Sequence, residues 1–259
     1  MKNRRPFIAG NWKMFKTLPD AVKTAEKLAE LVQDVRDTDI MIAPPFISVA
    51  AVGNALKGSP VRLGAQNLFW EAEGAYTGEI SASMLVSAGC THVIVGHSER
   101  RQYFGETDEN VNRKIRAALR AGLVPVFCVG ETETERDAKN TFSVLDKQIG
   151  NGLKDFLSDE LEKLVIAYEP VWAIGTGKTA TAAQAQEVHE YIRSQVEKNF
   201  GNLLAKSLRI QYGGSVKPDN IRELMQMPDV DGALVGGASL SAETFSGIIC
   251  HKQDTEVNS

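Results

Sequence analysis

The residues of this chain that could do chemistry sit at the ends of short apolar runs. Leu164 to Tyr168 is one such run, and it stops on the carboxylate of Glu169, with Pro170 next. Proline cannot donate to a sheet ladder, so a strand ends there with Glu169 at its tip. Val171 and Trp172 follow in a loop that continues through Ala173 and Ile174. Gly175-Thr176-Gly177 then gives the backbone freedom before Lys178 and the start of a helix. A carboxylate beside a loop with an apolar middle and a glycine hinge fits a base under a lid. The same residues also fit an ordinary strand-loop-helix joint.

Other apolar runs end in a similar way. One gives Gly10-Asn11-Trp12-Lys13, another Gly96-His97-Ser98-Glu99-Arg100, and a third Cys128-Val129-Gly130-Glu131. Two further runs end in glycine pairs, Gly213-Gly214-Ser215 and Gly236-Gly237-Ala238. An amide, an ammonium, an imidazole and a carboxylate thus stand at run ends, more consistently than scattered polar residues would. The glycine pairs read as tight turns or as a phosphate cradle in which backbone N–H groups face the ligand, with a helix start after each. Lys13 reads as a surface lysine or, beside Asn11, as the cation of a site. His97 alone among the four histidines stands at a run's end, just before a helix start at Ser98. His92, His189 and His251 read as structural or solvated. Glu99 fits a first-turn helix acid as well as a site residue. Cys128 reads as a small packing residue, with no histidine beside it in sequence. Gly175 to Thr179 spells GTGKT, but the residue five before Gly177 is Trp172, so the nucleotide-binding loop pattern fails.

These tips need elements to hold them. Strands are expected at 7–11, 40–43, 61–66, 92–96, 125–129, 164–169, 208–212 and 232–235. Helices are expected at 18–35, 46–56, through Val111 and Leu119, and at 144–157, 180–200, around 221–225 and at 241–249. Several strands are apolar throughout, as in a parallel sheet buried on both faces. Eight strands alternating with helices in 259 residues predict an α/β chain folded as one closed (β/α)8 barrel over 1–259, with 252–259 a polar tail. An open doubly wound sheet is the other topology of this class, but the glycine fingerprint of a dinucleotide fold is missing after the first strand. In a barrel the chemistry lies at the C-terminal strand ends, where the polar residues above stand.

Composition narrows the partners. Apolar residues make up 43% and charged residues 24%, as in a soluble globular protein, and no apolar run reaches the length of a membrane span. The basic start, Met1 to Arg5, lacks the apolar stretch of a signal peptide. Three cysteines without a CxxC pair fit a reducing cytosol. A net charge of −4 with no Lys/Arg stripe argues against nucleic acid, so an anionic ligand must be held by local groups.

Taken together, the motifs resemble those of the triosephosphate isomerase family. They are Gly10-Asn11-Trp12-Lys13-Met14, Gly96-His97-Ser98-Glu99-Arg100-Arg101, Ala167 to Lys178, Tyr212-Gly213-Gly214-Ser215-Val216 and Val235-Gly236-Gly237-Ala238. Gly74 to Ser81 is similar to that family's dimer loop. Phe15 departs from the family, which often has a polar residue there. The resemblance implies a TIM barrel that interconverts dihydroxyacetone phosphate and D-glyceraldehyde 3-phosphate. It implies a cytosolic homodimer joined through residues 66–81, with Thr77 at the contact, and no metal or organic cofactor. Carried over by motif, Glu169 is the base, His97 a neutral electrophile and Lys13 the electrostatic stabiliser. Asn11 completes the polar site, and Glu99 and Cys128 support it. Gly175, Ser215, Gly236 and Gly237 present N–H groups to the phosphate, and Pro170 to Lys178 form the lid. This family is itself a standard worked case of a Glu base, a neutral His and a closing loop, so these roles rest on the resemblance.

Two other functions use the same barrel. An aldolase with a Schiff-base lysine would need a desolvated amine at a strand tip, and Lys13 is the candidate. A barrel that only binds or scaffolds would have no use for intact polar groups at the strand tips. The helix start after His97 predicts a lowered pKa for its ring, because the positive end of a helix disfavours an imidazolium.

Overall fold

The computed structural model describes residues 4–173 and 179–252. Among them, eight strands form a closed parallel barrel in which each strand lies beside its sequence neighbours, and the last returns to the first. The strands are β1 (Phe7–Asn11), β2 (Asp39–Ala43), β3 (Val61–Ala65), β4 (His92–Val95), β5 (Val124–Val129), β6 (Val165–Tyr168), β7 (Arg209–Tyr212) and β8 (Gly232–Val235). Closure is set by β1, whose Ile8 stands opposite Ile40 on one side and Ala233 on the other. The open-sheet alternative is thereby excluded.

Alternation along each strand separates two cores. Phe7, Ala9, Met41, Ala43, Ile94, Val126, Cys128, Val165, Ala167 and Leu234 pack together inside the barrel. Ile8, Ile40, Ile42, Val93, Val95, Ile166 and Ile210 face outward into a larger cluster shared with the helices. Because side chains alternate with period two, the inward series Ala9 on β1 continues to Asn11, and Ala167 on β6 continues to Glu169. The C-terminal mouth thus receives an amide and a carboxylate by parity alone.

The helices differ from the expected ones at identifiable residues. The first runs Leu18–Leu31 rather than to Val35. The segment after β4 is two helices, Ser98–Phe104 and Asp108–Arg120, broken where Gly105 takes a left-handed φ of 64°. A short helix, Ala82–Ser87, capped by the Ser81 hydroxyl, was not expected from periodicity. The helix before β6 is Thr141–Gly152, earlier than 144–157, and β3 stops at Ala65, which frees Gln66 from the ladder. A helix, Ala182–Phe200, follows the lid region and is started by a capping box between Thr181 and Gln184.

Candidate active site

Glu169 directly follows β6, and its N–H still donates to the Val129 carbonyl at 2.8 Å, so strand geometry carries one residue past the end. Its neighbours make room for it. A Cβ on Gly130 would lie 1.8 Å from the Glu169 carbonyl oxygen, and one on Gly213 would lie 2.9 Å from its Cγ. The carboxylate is buried, with Oε2 accepting the Ser98 N–H at 2.8 Å and Oε1 lying 2.9 Å from His97 Nε2. Burial pushes this carboxyl up, but the His97 ring, the Ser98 N–H and Lys13 together outweigh burial and hold it below the ordinary value. It is therefore a carboxylate at neutral pH, as a base must be.

His97 caps the helix Ser98–Phe104, its Nδ1 accepting the Glu99 N–H at 3.2 Å. That contact fixes the ring's hydrogen on Nε2, the nitrogen that faces Glu169. The strand tip beneath is pinned from both sides. Gly96 N–H donates to Glu106 Oε2 at 3.0 Å, and Arg101 Nε donates to the Gly96 carbonyl at 2.8 Å. The expected lowering of the His97 pKa is corrected here. Burial does pull the ring down, but the Glu169 charge and hydrogen bond, with a smaller pull from Glu99, hold it above its ordinary value. A helix start visible in sequence argued for lowering, whereas the carboxylate that reverses it comes from the tip of another strand.

Lys13 sits in the left-handed region at φ 49°, a strained place for a residue with a side chain. Two side chains stabilise it there. Asn11 Oδ1 accepts the Lys13 N–H at 3.0 Å, and Gln66 Nε2 donates to the Lys13 carbonyl at 2.8 Å and to the Ala43 carbonyl at 2.9 Å. The strain re-aims the side chain over the mouth of the barrel, where Nζ meets Glu99 Oε1 at 2.5 Å. Glu99 is thus in the first turn of its helix and in contact with Lys13. Cys128 is inside the barrel and fully buried, and burial with the nearby Glu169 charge pushes its thiol well up. It packs beneath the site, as its residue type suggested.

Asn11, Lys13, His97 and Glu169 open onto a cavity of about 300 Å³ whose far rim is made by Gly213–Lys217 and Gly236–Ala238. A Cβ on Gly236 would touch Lys13 Cε at 3.3 Å, so the bare backbone lets the lysine stem lie against the rim. The expectation of a helix start after each glycine pair holds for only one of them. A 3-10 helix begins at Gly237, but the stretch after Gly213-Gly214-Ser215 is a loop, and the helix Ile221–Gln226 starts later. Ser215 lies in that loop, with its carbonyl accepting from Asn220 Nδ2 at 3.1 Å. Pro170 to Ala173 of the expected lid are described, with Val171–Ala173 a 3-10 turn. Ile174, Gly175, Thr176, Gly177 and Lys178 lie outside the described residues. Thr77 is exposed in its loop.

The remaining histidines lie elsewhere. His92 is at the opposite end of the barrel, where burial and the charges of Arg209 and Arg62 push it down to about 3. His189 Nδ1 lies 3.2 Å from the Asp229 carbonyl, and His251 Nδ1 lies 3.2 Å from the Ile248 carbonyl. Among the described residues, no three His, Cys, Asp or Glu side chains converge to hold a metal ion.

Two residues that position the site had no role in the sequence reading. Gln66 is one. Glu131 is the other: it is fully buried and accepts from Tyr168 Oη, Trp172 Nε1 and Arg136 Nη1, each at 3.0 Å. It ties the start of the lid to the β5 tip, a place in sequence that a surface acid would share. Glu131→Leu strands those donors and is expected to lower unfolding free energy by about 3 kcal/mol or more in a urea titration. A loss below about 1 kcal/mol would show that the donors find other partners.

With this geometry in place, relatives can be compared. The model of the triosephosphate isomerase family matches residues 6–252. The triosephosphate isomerase of Geobacter metallireducens is 58% identical over 249 residues, which are 96% of this chain and 99% of the relative. That of Trichlorobacter lovleyi is 56% identical over 249 residues with the same coverage. The crystal structure of triosephosphate isomerase from Bartonella henselae superposes with a TM-score of 0.87 at 42% identity, covering 96% of this chain and 99% of that one. Full-length matches of this kind, on a closed parallel barrel with its polar groups at the C-terminal mouth, show that the chain belongs to the triosephosphate isomerase family.

Proposed function

We propose that Glu169, His97 and Lys13 carry out the family's reaction, the interconversion of dihydroxyacetone phosphate and D-glyceraldehyde 3-phosphate. Glu169 takes a proton from one carbon and returns it to the adjacent one. His97 donates its Nε2 hydrogen to the carbonyl oxygen and passes a proton between the two oxygens. Lys13 stabilises the enediolate as negative charge builds on those oxygens, and Asn11 holds Lys13 in its strained conformation. Ser215, Gly236 and Gly237, with Gly175, take the phosphate on the far rim. The observation that carries this reading is the buried contact between Glu169 Oε1 and His97 Nε2 at 2.9 Å, facing the cavity beside Lys13. Base and acid occupy each other until a substrate separates them. The test is a coupled assay run from either triose phosphate. Equilibration in both directions is expected, and its absence in folded enzyme would overturn the reading. The Schiff-base alternative loses support because Lys13 Nζ is engaged by Glu99 Oε1 at 2.5 Å rather than set in an apolar pocket. Borohydride with substrate is expected to trap no adduct.

The lid, Pro170 to Lys178, closes over this cavity and keeps it dry. The link from Trp172 to Glu131 supports it, since it anchors the near end of the loop. Among the described residues no helix is long and apolar enough to cross a membrane. A cytoplasmic setting is supported by the three free cysteines.

The same reading makes the protein a homodimer through residues 66–81. Phe69 stacks against Trp70 and Tyr76 at 4.2 and 4.6 Å, which gives this exposed loop an aromatic knob. Met14, Ile47 and Phe104 are also exposed, at 94%, 80% and 69%. Thr77 would then reach the Asn11–Lys13 segment of the second copy. Deleting Phe69 to Tyr76 is expected to give monomers of low activity in sedimentation velocity runs. Intact, active dimers would overturn the loop's role.

A further inference from the structure

We propose that Lys217 is the second cation of the phosphate site and sets the preference for a dianionic substrate. The inference rests on the triose phosphate reading above and adds a residue to it. The charges around the cavity pose a problem for that substrate. Glu169 is held as a carboxylate, and the Lys13 ammonium is spent on Glu99 at 2.5 Å. His97 is engaged by Glu169 at 2.9 Å, so each of these charges already has a partner and no unpaired cation among them is left for the substrate, in a protein whose net charge is −4. A phosphate dianion approaching this site meets the net negative charge of the protein at long range and no free positive charge from these residues at short range. Backbone N–H groups attract it only on contact, because their dipoles fall off faster with distance than a full charge does.

Lys217 corrects that balance. It lines the same cavity, on the rim that also holds Ser215 and Gly236. Among the described residues no carboxylate or hydrogen-bond acceptor engages its ammonium, unlike that of Lys13. Its backbone is fixed while its side chain is exposed to solvent. The Lys217 N–H donates to Asn220 Oδ1 at 2.8 Å, and the same Asn220 side chain donates from Nδ2 to the Ser215 carbonyl at 3.1 Å. Asn220 thus clasps the turn that runs from the phosphate rim to Lys217. Pro218 follows, and a proline disfavours a helical conformation at the residue before it. A long flexible stem on a fixed root lets the ammonium sample the cavity mouth and meet the dianion before it is seated. Lys217 thus adds an unpaired positive charge at the mouth, and capture is favoured for ligands that carry a phosphate.

The test compares Lys217→Gln and Lys217→Arg with the parent enzyme. Lys217→Gln is expected to lower kcat/KM for the triose phosphates by about 3–10-fold at low ionic strength, mainly through KM. The dependence of kcat/KM on salt is expected to flatten in parallel. Inhibition by inorganic phosphate is expected to weaken by a similar factor, and the ratio of kcat/KM for triose phosphate to that for glyceraldehyde to fall. Lys217→Arg keeps the charge and is expected to restore the salt slope. A parent-like salt slope and phosphate inhibition in Lys217→Gln, with the parent active, would overturn the assignment of Lys217 alone. A drop in kcat without change in KM or salt slope would also overturn it, since that marks a structural effect. A parent enzyme that does not isomerise triose phosphates would overturn the reading beneath it.

Discussion

Glu169→Gln is expected to lower turnover by about 10²–10⁴-fold or more while leaving affinity for inorganic phosphate within about threefold. The substitution keeps the shape of the side chain and removes its charge and basicity. The amide oxygen can still accept the Ser98 N–H that Oε2 accepts at 2.8 Å, so the backbone has no reason to move. The amide nitrogen then faces His97 Nε2, which lies 2.9 Å from Oε1, and two donors oppose each other across that gap. What is lost is the proton acceptor of the carbon-deprotonation step, which no nearby residue replaces. Cys128 sits beneath it, but its thiol is pushed well up by burial and is not a base near neutral pH. The phosphate rim, Gly213–Lys217 and Gly236–Ala238, lies across the cavity and is untouched. Loss should therefore fall on kcat with little change in phosphate inhibition, read by a coupled assay and by phosphate titration. A folded, contamination-free variant with near-normal turnover would remove Glu169 from the base role.

Why Glu169 was legible in sequence and its supports were not has a physical reason. Glu169 is placed by local rules: an apolar run of period two, a proline that ends it, and parity that turns every second side chain inward. Asn11 follows the same rules on β1. The eight-strand alternation and its closure follow from the spacing of such runs. Contacts between distant segments leave no local trace. Glu131 gathers Tyr168, Trp172 and Arg136 from three positions around it, and nothing in Gly130-Glu131 distinguishes a surface acid from this buried hub. Gln66 holds Lys13 from across 53 residues, and only the strain at φ 49° explains why it is needed. The break at Gly105 was readable in principle, since a left-handed φ favours glycine, but the flanking periodicity masked it.

Legibility also explains the histidine. The sequence offers the helix that starts at Ser98 and so argues for a lowered pKa; the fold adds a carboxylate at 2.9 Å and reverses the direction. The two causes separate along the reaction. Once Glu169 has taken the carbon's proton it is neutral, and the main influence that raises the ring's affinity is gone. Burial and the Glu99 N–H on Nδ1 remain, and both disfavour an imidazolium. An Nδ1 proton would also have to displace that N–H, at a cost of a hydrogen bond in a dry site. His97 then faces the enediolate as a neutral ring with its hydrogen on Nε2, a donor matched in acidity to an enediol. Lys13 supplies the positive charge, so a second cation in the same dry space is unnecessary.

This sequence of states predicts a specific coupling. In Glu169→Gln the His97 ring is expected to stay neutral to lower pH by ¹⁵N NMR, because the carboxylate that raises it most is absent. In the parent enzyme the same ring is expected to take up a proton at higher pH than in the variant. The sign follows from the charge: a facing carboxylate favours the protonated ring, so its removal shifts the titration to lower pH. His97→Gln is expected to cut turnover by about 10²-fold or more, because an amide can donate to one oxygen but cannot hand a proton between two. Its effect should not multiply with that of Glu169→Gln, since both act on one proton transfer. Identical His97 titrations in the parent and in Glu169→Gln would break the link between the two residues, and with it the account of how the ring becomes neutral.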